Sequence, residues 1–276
     1  MEKRLYEGKM IYLNKISISN NRLEKWPFNI KVISTLNQLS FKTPVTFIAG
    51  ENGTGKSTLV ESLAIKLKMT AIGRVDAVYD DTLKQLDYFV KNISLTMRSK
   101  PRNKFFLRSE DFFNFVLKLN KEQDELRKEL CRVDIEYKDK SQFTKNQARS
   151  AYLNSHYQMK KLYGEDMLEN ASHGESFIRL FNNRIRPNGL YILDEPAVPL
   201  SPLRQLSLLH IIKEMSEEHN CQFIIATHSP ILLAYKEATI FSLNNDVIEN
   251  VKWRDLESVQ LLKDFLIEPD RYIDKL

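Results

Sequence analysis

The sequence predicts an α/β fold with a mainly parallel core sheet, an N-terminal antiparallel β lobe and a helical insertion. Three observations predict it. Val45 to Ala49 is a short apolar run that ends at a glycine-rich turn, Gly50 to Ser57, with a helix-patterned stretch behind it. Leu190 to Leu193 and Gln222 to Ala226 are two further apolar runs, each delivering polar side chains at its end. A stretch with helical spacing separates these two runs, and strands that alternate with helices imply parallel pairing.

Taken in chain order, Ile11 to Ser19 alternates apolar and polar residues (Ile11, Leu13, Ile16, Ile18) and reads as a strand. Phe28 to Leu39, with β-branched Ile30, Val32 and Ile33, reads as another. Val45 to Ala49 is the buried strand before the turn, and Ser57 to Met69, with Leu59, Leu63, Ile65 and Leu67, is the helix after it. Phe105 to Leu107 reads as a short strand. Asp111 to Leu119 and Glu122 to Lys138 read as two helices, the second highly charged and too short for a long coiled coil. Ser201-Pro202 has the form of an N-cap followed by a first-turn proline, opening a helix that runs to about His219. Thr239 to Leu243 is a final strand. One domain over 1–276 is expected: the β lobe and the start of the core over 1–50, the insertion over about 111–170, and the remaining core over 171–276.

With 276 residues, 42% of them hydrophobic, the chain can bury a sizeable core. Cys131 and Cys221 are far apart and have neither disulfide nor metal-ligand spacing, as expected of reduced cysteines in a cytoplasmic protein. No apolar stretch follows Met1 to Arg4, so no signal peptide is expected. No run approaches the roughly 18 apolar residues of a membrane helix, so no direct membrane insertion is expected. The net charge of +5 is unevenly spread: from Arg98 to Lys161 there are 16 Lys and Arg against 9 Asp and Glu. Arg98, Lys100, Arg102, Lys104 and Arg108 follow one another with no acid between them. Such a cluster attracts phosphate backbones, and the expectation is nucleic-acid binding through Arg98, Lys100, Arg102 and Lys104. A solvated helical face is the plainer account of the same charges.

Gly50-Glu-Asn-Gly-Thr-Gly-Lys-Ser57 fits the pattern G-x-x-x-x-G-K-[ST] in its proper context, strand before and helix after. Glycines at Gly50, Gly53 and Gly55 let the backbone wrap a phosphate with its N–H groups pointing inward, and the helix adds its positive end. Asn52, Thr54 and Thr58 belong to the same cradle. Lys56 is expected to reach the β- and γ-phosphates of a nucleotide, and the Ser57 hydroxyl to hold Mg²⁺. Asp194 and Glu195 stand together at the end of an apolar strand. The expected division of labour gives Asp194 the metal and Glu195 the attacking water, because phosphoryl transfer needs charge neutralisation and positioning. The strand Gln222 to Ala226 delivers His228 towards the same edge, where an imidazole can bond a γ-phosphate oxygen.

These three motifs, in this order, resemble the ABC-type ATPases. Within that family the chain resembles the soluble predicted "AAA family" ATPases, related to SMC, RecF and MutS-like proteins, more than transporter subunits. The resemblance covers most of the chain and is weakest over about 70–165. It implies ATP and Mg²⁺ as ligands, ATP hydrolysis, and a homodimer formed on ATP that drives a partner protein. A place in DNA repair or antiviral defence follows from the same kinship. In this family a signature segment, Leu-Ser-Gly-Gly-Gln in transporters, meets the ATP held by the other subunit. Ala171-Ser-His-Gly-Glu-Ser176 lies where it should, with Ser172 and Gly174 matching the serine and second glycine, and with His173 and Glu175 departing from the pattern. Without the family, Ser172 reads as an N-cap for a helix with Phe177, Leu180 and Phe181 on its inner face. Glu110 occupies the place of the Q-loop glutamine, which would make it a metal-side residue. Ser201 replaces the usual D-loop aspartate, and Trp26-Pro-Phe28 lies where the adenine-stacking aromatic is found. The alternative is the nucleotide-binding subunit of a membrane transporter, against which the altered signature and the missing aspartate count. A GTPase would carry Asn-Lys-x-Asp, which Asn120-Lys-Glu-Gln123 does not match.

Overall fold

The computed structural model describes residues 10–19, 26–71, 81–163, 173–244 and 246–274. The chain divides into two compact units, Met1–Ser109 with Ile185–Leu276, and Glu110–Arg184.

The first unit begins with β1 (Leu13–Ile18), α1 (Lys31–Thr35), β2 (Gln38–Ser40), β3 (Val45–Ala49), α2 (Lys56–Lys66), α3 (Asp87–Lys91), β4 (Ile93–Met97) and β5 (Asn103–Arg108). Next come α4 (Ser109–Glu136), which crosses into the second unit, α5 (Gln142–Tyr163) and α6 (His173–Arg184). The chain then returns through β6 (Gly189–Asp194), α7 (Pro202–Glu217), β7 (Gln222–Ala226), α8 (Pro230–Leu233), β8 (Thr239–Ser242), β9 (Glu249–Val251) and α9 (Glu257–Ile267). Two sheets result. One is antiparallel, in the order β2-β1-β4; the other has six strands in the order β5-β6-β7-β3-β8-β9, all parallel except β9.

Every residue of β3, β6 and β7 is buried, as expected of central strands covered on both faces. Their parallel pairing brings the C-terminal ends of all three strands to one edge, and that edge carries the site. Gln222 ties the two sheets together. Gln222 Oε1 accepts from Tyr12 N and Leu13 N, both at 2.8 Å, and its Nε2 donates to Leu13 O over 2.9 Å. The side chain is fully buried, so these bonds satisfy groups that water does not reach. Tyr191, also fully buried, has its hydroxyl bonded to Arg186 N and Arg186 O at 2.8 and 2.6 Å. Burial raises its phenol above the ordinary tyrosine range.

The sequence expectation fails in two places. Residues 28–39 are not one strand: Lys31–Thr35 is a helical turn and only Gln38–Ser40 is extended. Helical spacing puts Ile30 and Ile33 on one side, where both cover Gly55; a Cβ on that glycine would meet Ile30 Cγ2 at 3.3 Å and Ile33 Cγ1 at 3.6 Å. One helix, α4 (Ser109–Glu136), stands where two are expected over 111–138. At 1.5 Å per residue, its 28 residues span about 42 Å. α5 lies antiparallel to it, since Arg149 pairs with Asp134 while Tyr152, further along α5, reaches back to Glu129. Phe177 of α6 packs edge-on against Phe112 of α4, with ring centroids 4.9 Å apart. Phe177, Leu180 and Phe181 are buried as expected. Ser201 stands at the N-cap position of α7, but its side chain makes no capping bond.

Candidate active site

Gly50 to Ser57 turns from β3 into α2 with all three glycines at positive φ: 156° at Gly50, 83° at Gly53 and 99° at Gly55. At Gly53 and Gly55 only glycine takes such angles freely. The first helical hydrogen bond runs from Leu59 N to Gly55 O, 3.0 Å. The N–H groups of Lys56, Ser57 and Thr58 therefore precede the helical ladder and are available to an anion at the positive end of α2. Lys56 is 5% exposed and its Nζ folds back onto Gly50 O at 2.6 Å and Glu51 O at 2.8 Å. Asn244, at the end of β8, braces the loop by accepting from Glu51 N over 3.0 Å.

Ser57 Oγ donates to Asp194 Oδ1 over 3.2 Å. The two candidate metal donors thus converge from α2 and from the end of β6. Burial drives the Asp194 carboxyl up to about 7. The Ser57 hydrogen bond opposes that push, the charges of Glu61 and Glu195 add to it, and Lys56 opposes it. A divalent cation here would favour the charged carboxylate. These two oxygens are donors of the kind magnesium takes, and they would hold it alongside a phosphate.

Glu195 follows directly and has φ of 49°, the left-handed region that a non-glycine residue occupies only when its surroundings enforce it. Here Glu195 N donates to Ala226 O over 2.9 Å, and the Ser109 hydroxyl donates to Glu195 O in a short bond. This turn aims the carboxylate at the loop. Its Oε1 lies 3.7 Å from Lys56 Nζ and its Oε2 lies 2.9 Å from His228 Nδ1. Neither contact is aligned as a hydrogen bond, and both carboxylate oxygens are buried with their accepting capacity unused. That is a fit for a water or phosphate group between the carboxylate and the loop. His228 is more than half exposed. Its backbone is fixed by Thr227 N on Ile48 O, 3.1 Å, and by Ser229 N on Thr227 Oγ1, 3.1 Å.

The structure brings together Lys56, Ser57, Asp194, Glu195 and His228. Gly174, buried near the start of α6, and Glu110, exposed in the first turn of α4, belong to the second unit. Ser172 lies outside the described residues. Of the aromatic pair proposed for adenine, Phe28 is core, edge-on to Phe89 with centroids 5.3 Å apart, whereas Trp26 is 40% exposed. The nucleic-acid expectation needs a correction at Lys104. Its Nζ is bonded to Leu67 O at 2.5 Å and to Lys68 O at 3.3 Å, so it closes a loop of the fold. Arg108 is likewise engaged, buried against Glu61 at 3.3 Å.

Sequence reasoning missed Ser109, Asn244 and Gln205. Gln205 of α7 donates to Leu200 O over 3.0 Å and to Ala197 O over 3.4 Å, and accepts from Ser229 Oγ over 2.7 Å. It thereby links the turn behind the acid pair to the residue after His228. Nothing in its local sequence marks it, because its partners come from two other segments.

An ABC transporter family model matches residues 33–198, more than half of the chain, and the chain belongs to that family, the ABC-type P-loop ATPases. ATP binding and ATP hydrolysis are the chemistry that membership carries. An AAA domain model, described for the AbiEii toxin of a type IV TA system, matches residues 177–234. No curated protein matches the chain. Among solved structures, the chain is similar to an Smc head domain of Pyrococcus furiosus bound to the C-terminal domain of ScpA (12% identity, 92% of this chain and 99% of that one, TM-score 0.45). It is also similar to cbiO1 of Clostridium perfringens, part of an ABC transporter complex (16% identity, 96% and 99%, TM-score 0.43). A third is the SMC head domain of Thermotoga maritima (14% identity, 88% and 99%, TM-score 0.39). The family match, not these likenesses, carries the assignment. Among the described residues no helix is long and apolar enough to cross a membrane.

Proposed function

We propose that the chain binds ATP with magnesium, cleaves its γ-phosphate, and closes as a homodimer on ATP to drive a partner protein. The observation that carries this is the meeting of Lys56, Ser57, Asp194, Glu195 and His228 at one edge of the sheet, from three strands far apart in sequence. Lys56 neutralises β- and γ-phosphate charge. Ser57 and Asp194 would hold the metal, which would supply charge neutralisation at the phosphates. Glu195 orients a water for attack on the γ-phosphorus and accepts its proton. The bond to the bridging oxygen breaks, and ADP leaves with the electron pair. His228, beside Glu195, donates to a γ-oxygen and reports whether the phosphate is there.

All these groups approach the γ-phosphate from one side. The family resemblance supplies the other side from a second copy, through Ser172, Gly174 and the start of α6, across a two-fold axis. Glu110 acts at the metal and Trp26 at the adenine in the same reading. The partner lies in DNA repair or antiviral defence by the same resemblance, and the toxin description of the AAA domain model supports defence. The family description keeps a transporter subunit as a second reading; copurification with a membrane protein would favour it. The test is magnesium-dependent phosphate release by the wild type, set against Glu195→Gln. Release at equal rates by both proteins, or by neither, would overturn the proposal.

A further inference from the structure

We propose that the edge of the core sheet opposite the ATP site binds the phosphate backbone of duplex nucleic acid, through Arg98, Lys100, Arg102 and Arg186. β5 and β6 begin at this edge in register, Asn103 opposite Gly189. The loop from Arg98 to Arg102 leads into β5, and the loop from Arg186 to Asn188 leads into β6. Hydrogen bonds to backbone carbonyls stitch the two loops together. Arg102 N donates to Asn188 O over 2.9 Å, and Asn103 Nδ2 donates to Pro187 O over 2.9 Å. Arg98 N is held on Tyr12 O at 2.8 Å, and Asn188 N on His219 O at 2.9 Å. The fold thus brings Arg186 beside a basic run that lies far from it in sequence, while it removes Lys104 and Arg108 from that run.

All four side chains are exposed, and among the described residues none of them forms an ion pair. Neither loop contains an acid. With the backbone pinned, the loops themselves need no ordering on binding, and only side-chain freedom is lost. Three of the four are arginines, whose planar forks match phosphate oxygens bidentately. Ser99 and Asn188 stand among them as neutral donors. Neither loop exposes an aromatic ring or a leucine for insertion into a bilayer, which favours a nucleic-acid backbone over an anionic membrane. The surface is separate from the nucleotide edge. β6 spans six residues from Gly189 to Asp194, roughly 16 Å of strand. The inference therefore stands or falls independently of the ATPase reading.

The test is fluorescence anisotropy with a labelled duplex of about 25 base pairs, for the wild type and for Arg98→Gln/Lys100→Gln/Arg102→Gln/Arg186→Gln, over a range of salt. Four neutralised phosphates predict a slope of log K against log salt of about −3 to −4 for the wild type. The variant should bind at least about tenfold more weakly at low salt, with a slope near zero. Its melting temperature and ATP binding should match the wild type, which distinguishes a lost surface from a lost fold. Arg186→Gln alone, the mildest change, should lower the slope by about one. The inference is overturned if the wild type fails to bind duplex at low salt, or if the fourfold variant binds with the wild-type slope. Binding to phosphatidylserine vesicles without binding to duplex would overturn it too.

Discussion

His228 Nδ1 stands 2.9 Å from Glu195 Oε2, while Lys56 Nζ stands 3.7 Å from Oε1 of the same carboxylate. The carboxylate is flanked on both sides, yet neither neighbour donates an aligned hydrogen bond to it. Its position comes from the backbone: a left-handed Glu195 fixed by Ala226 O and the Ser109 hydroxyl. A group placed this way can act on a third species between it and the loop.

Glu195→Gln should therefore retain ATP binding and slow turnover at least about tenfold, since positioned bases contribute roughly 10²–10⁴-fold. The amide keeps the shape but neither accepts the proton nor polarises water as well. Steady-state phosphate release with ATP affinity measured in parallel checks this; a kcat near that of the wild type would assign the role to another residue.

Lys56→Ala should abolish ATP binding. The lysine both carries the loop's fixed positive charge and ties the carbonyls of Gly50 and Glu51. Two losses coincide, unmatched phosphate charge and a slackened cradle. Calorimetric titration with ATP tests it, and unchanged affinity would contradict it.

Gln222→Leu should destabilise the fold by roughly 3 kcal/mol or more, because Tyr12 N, Leu13 N and Leu13 O would be left buried without partners. The expected result is a lower denaturation midpoint in urea. A midpoint equal to that of the wild type would show that the Gln222 bonds add nothing to the hold of the antiparallel sheet on the core.

The core of the site was legible because its chemistry is local: a loop of fixed spacing, two acids at a strand end and a histidine at another. β3 and β7 have the bounds read from sequence, since a short, mostly apolar run has few other ways to be buried. Helix α1 is not legible as a helix because its β-branched residues fit a strand locally, while the demand that Ile30 and Ile33 cover Gly55 is set by the P-loop. Ser109, Gln205 and Asn244 were invisible for the same reason, as their partners lie in other segments. The basic run was half legible: sequence could count its charges but could not tell that Lys104 is consumed by Leu67 O or that Arg186 arrives beside Arg102.

The central claim is that ATP joins two copies of this chain, and light scattering of Glu195→Gln in ATP and in ADP tests it most directly. The γ-phosphate is what the second copy's Ser172 and Gly174 would grip, and the slow variant preserves it. The account predicts twice the monomer mass in ATP and the monomer mass in ADP, with Ser172→Arg remaining monomeric in both while still binding ATP. Equal mass in the two nucleotides, together with full ATPase activity in Ser172→Arg, would contradict it.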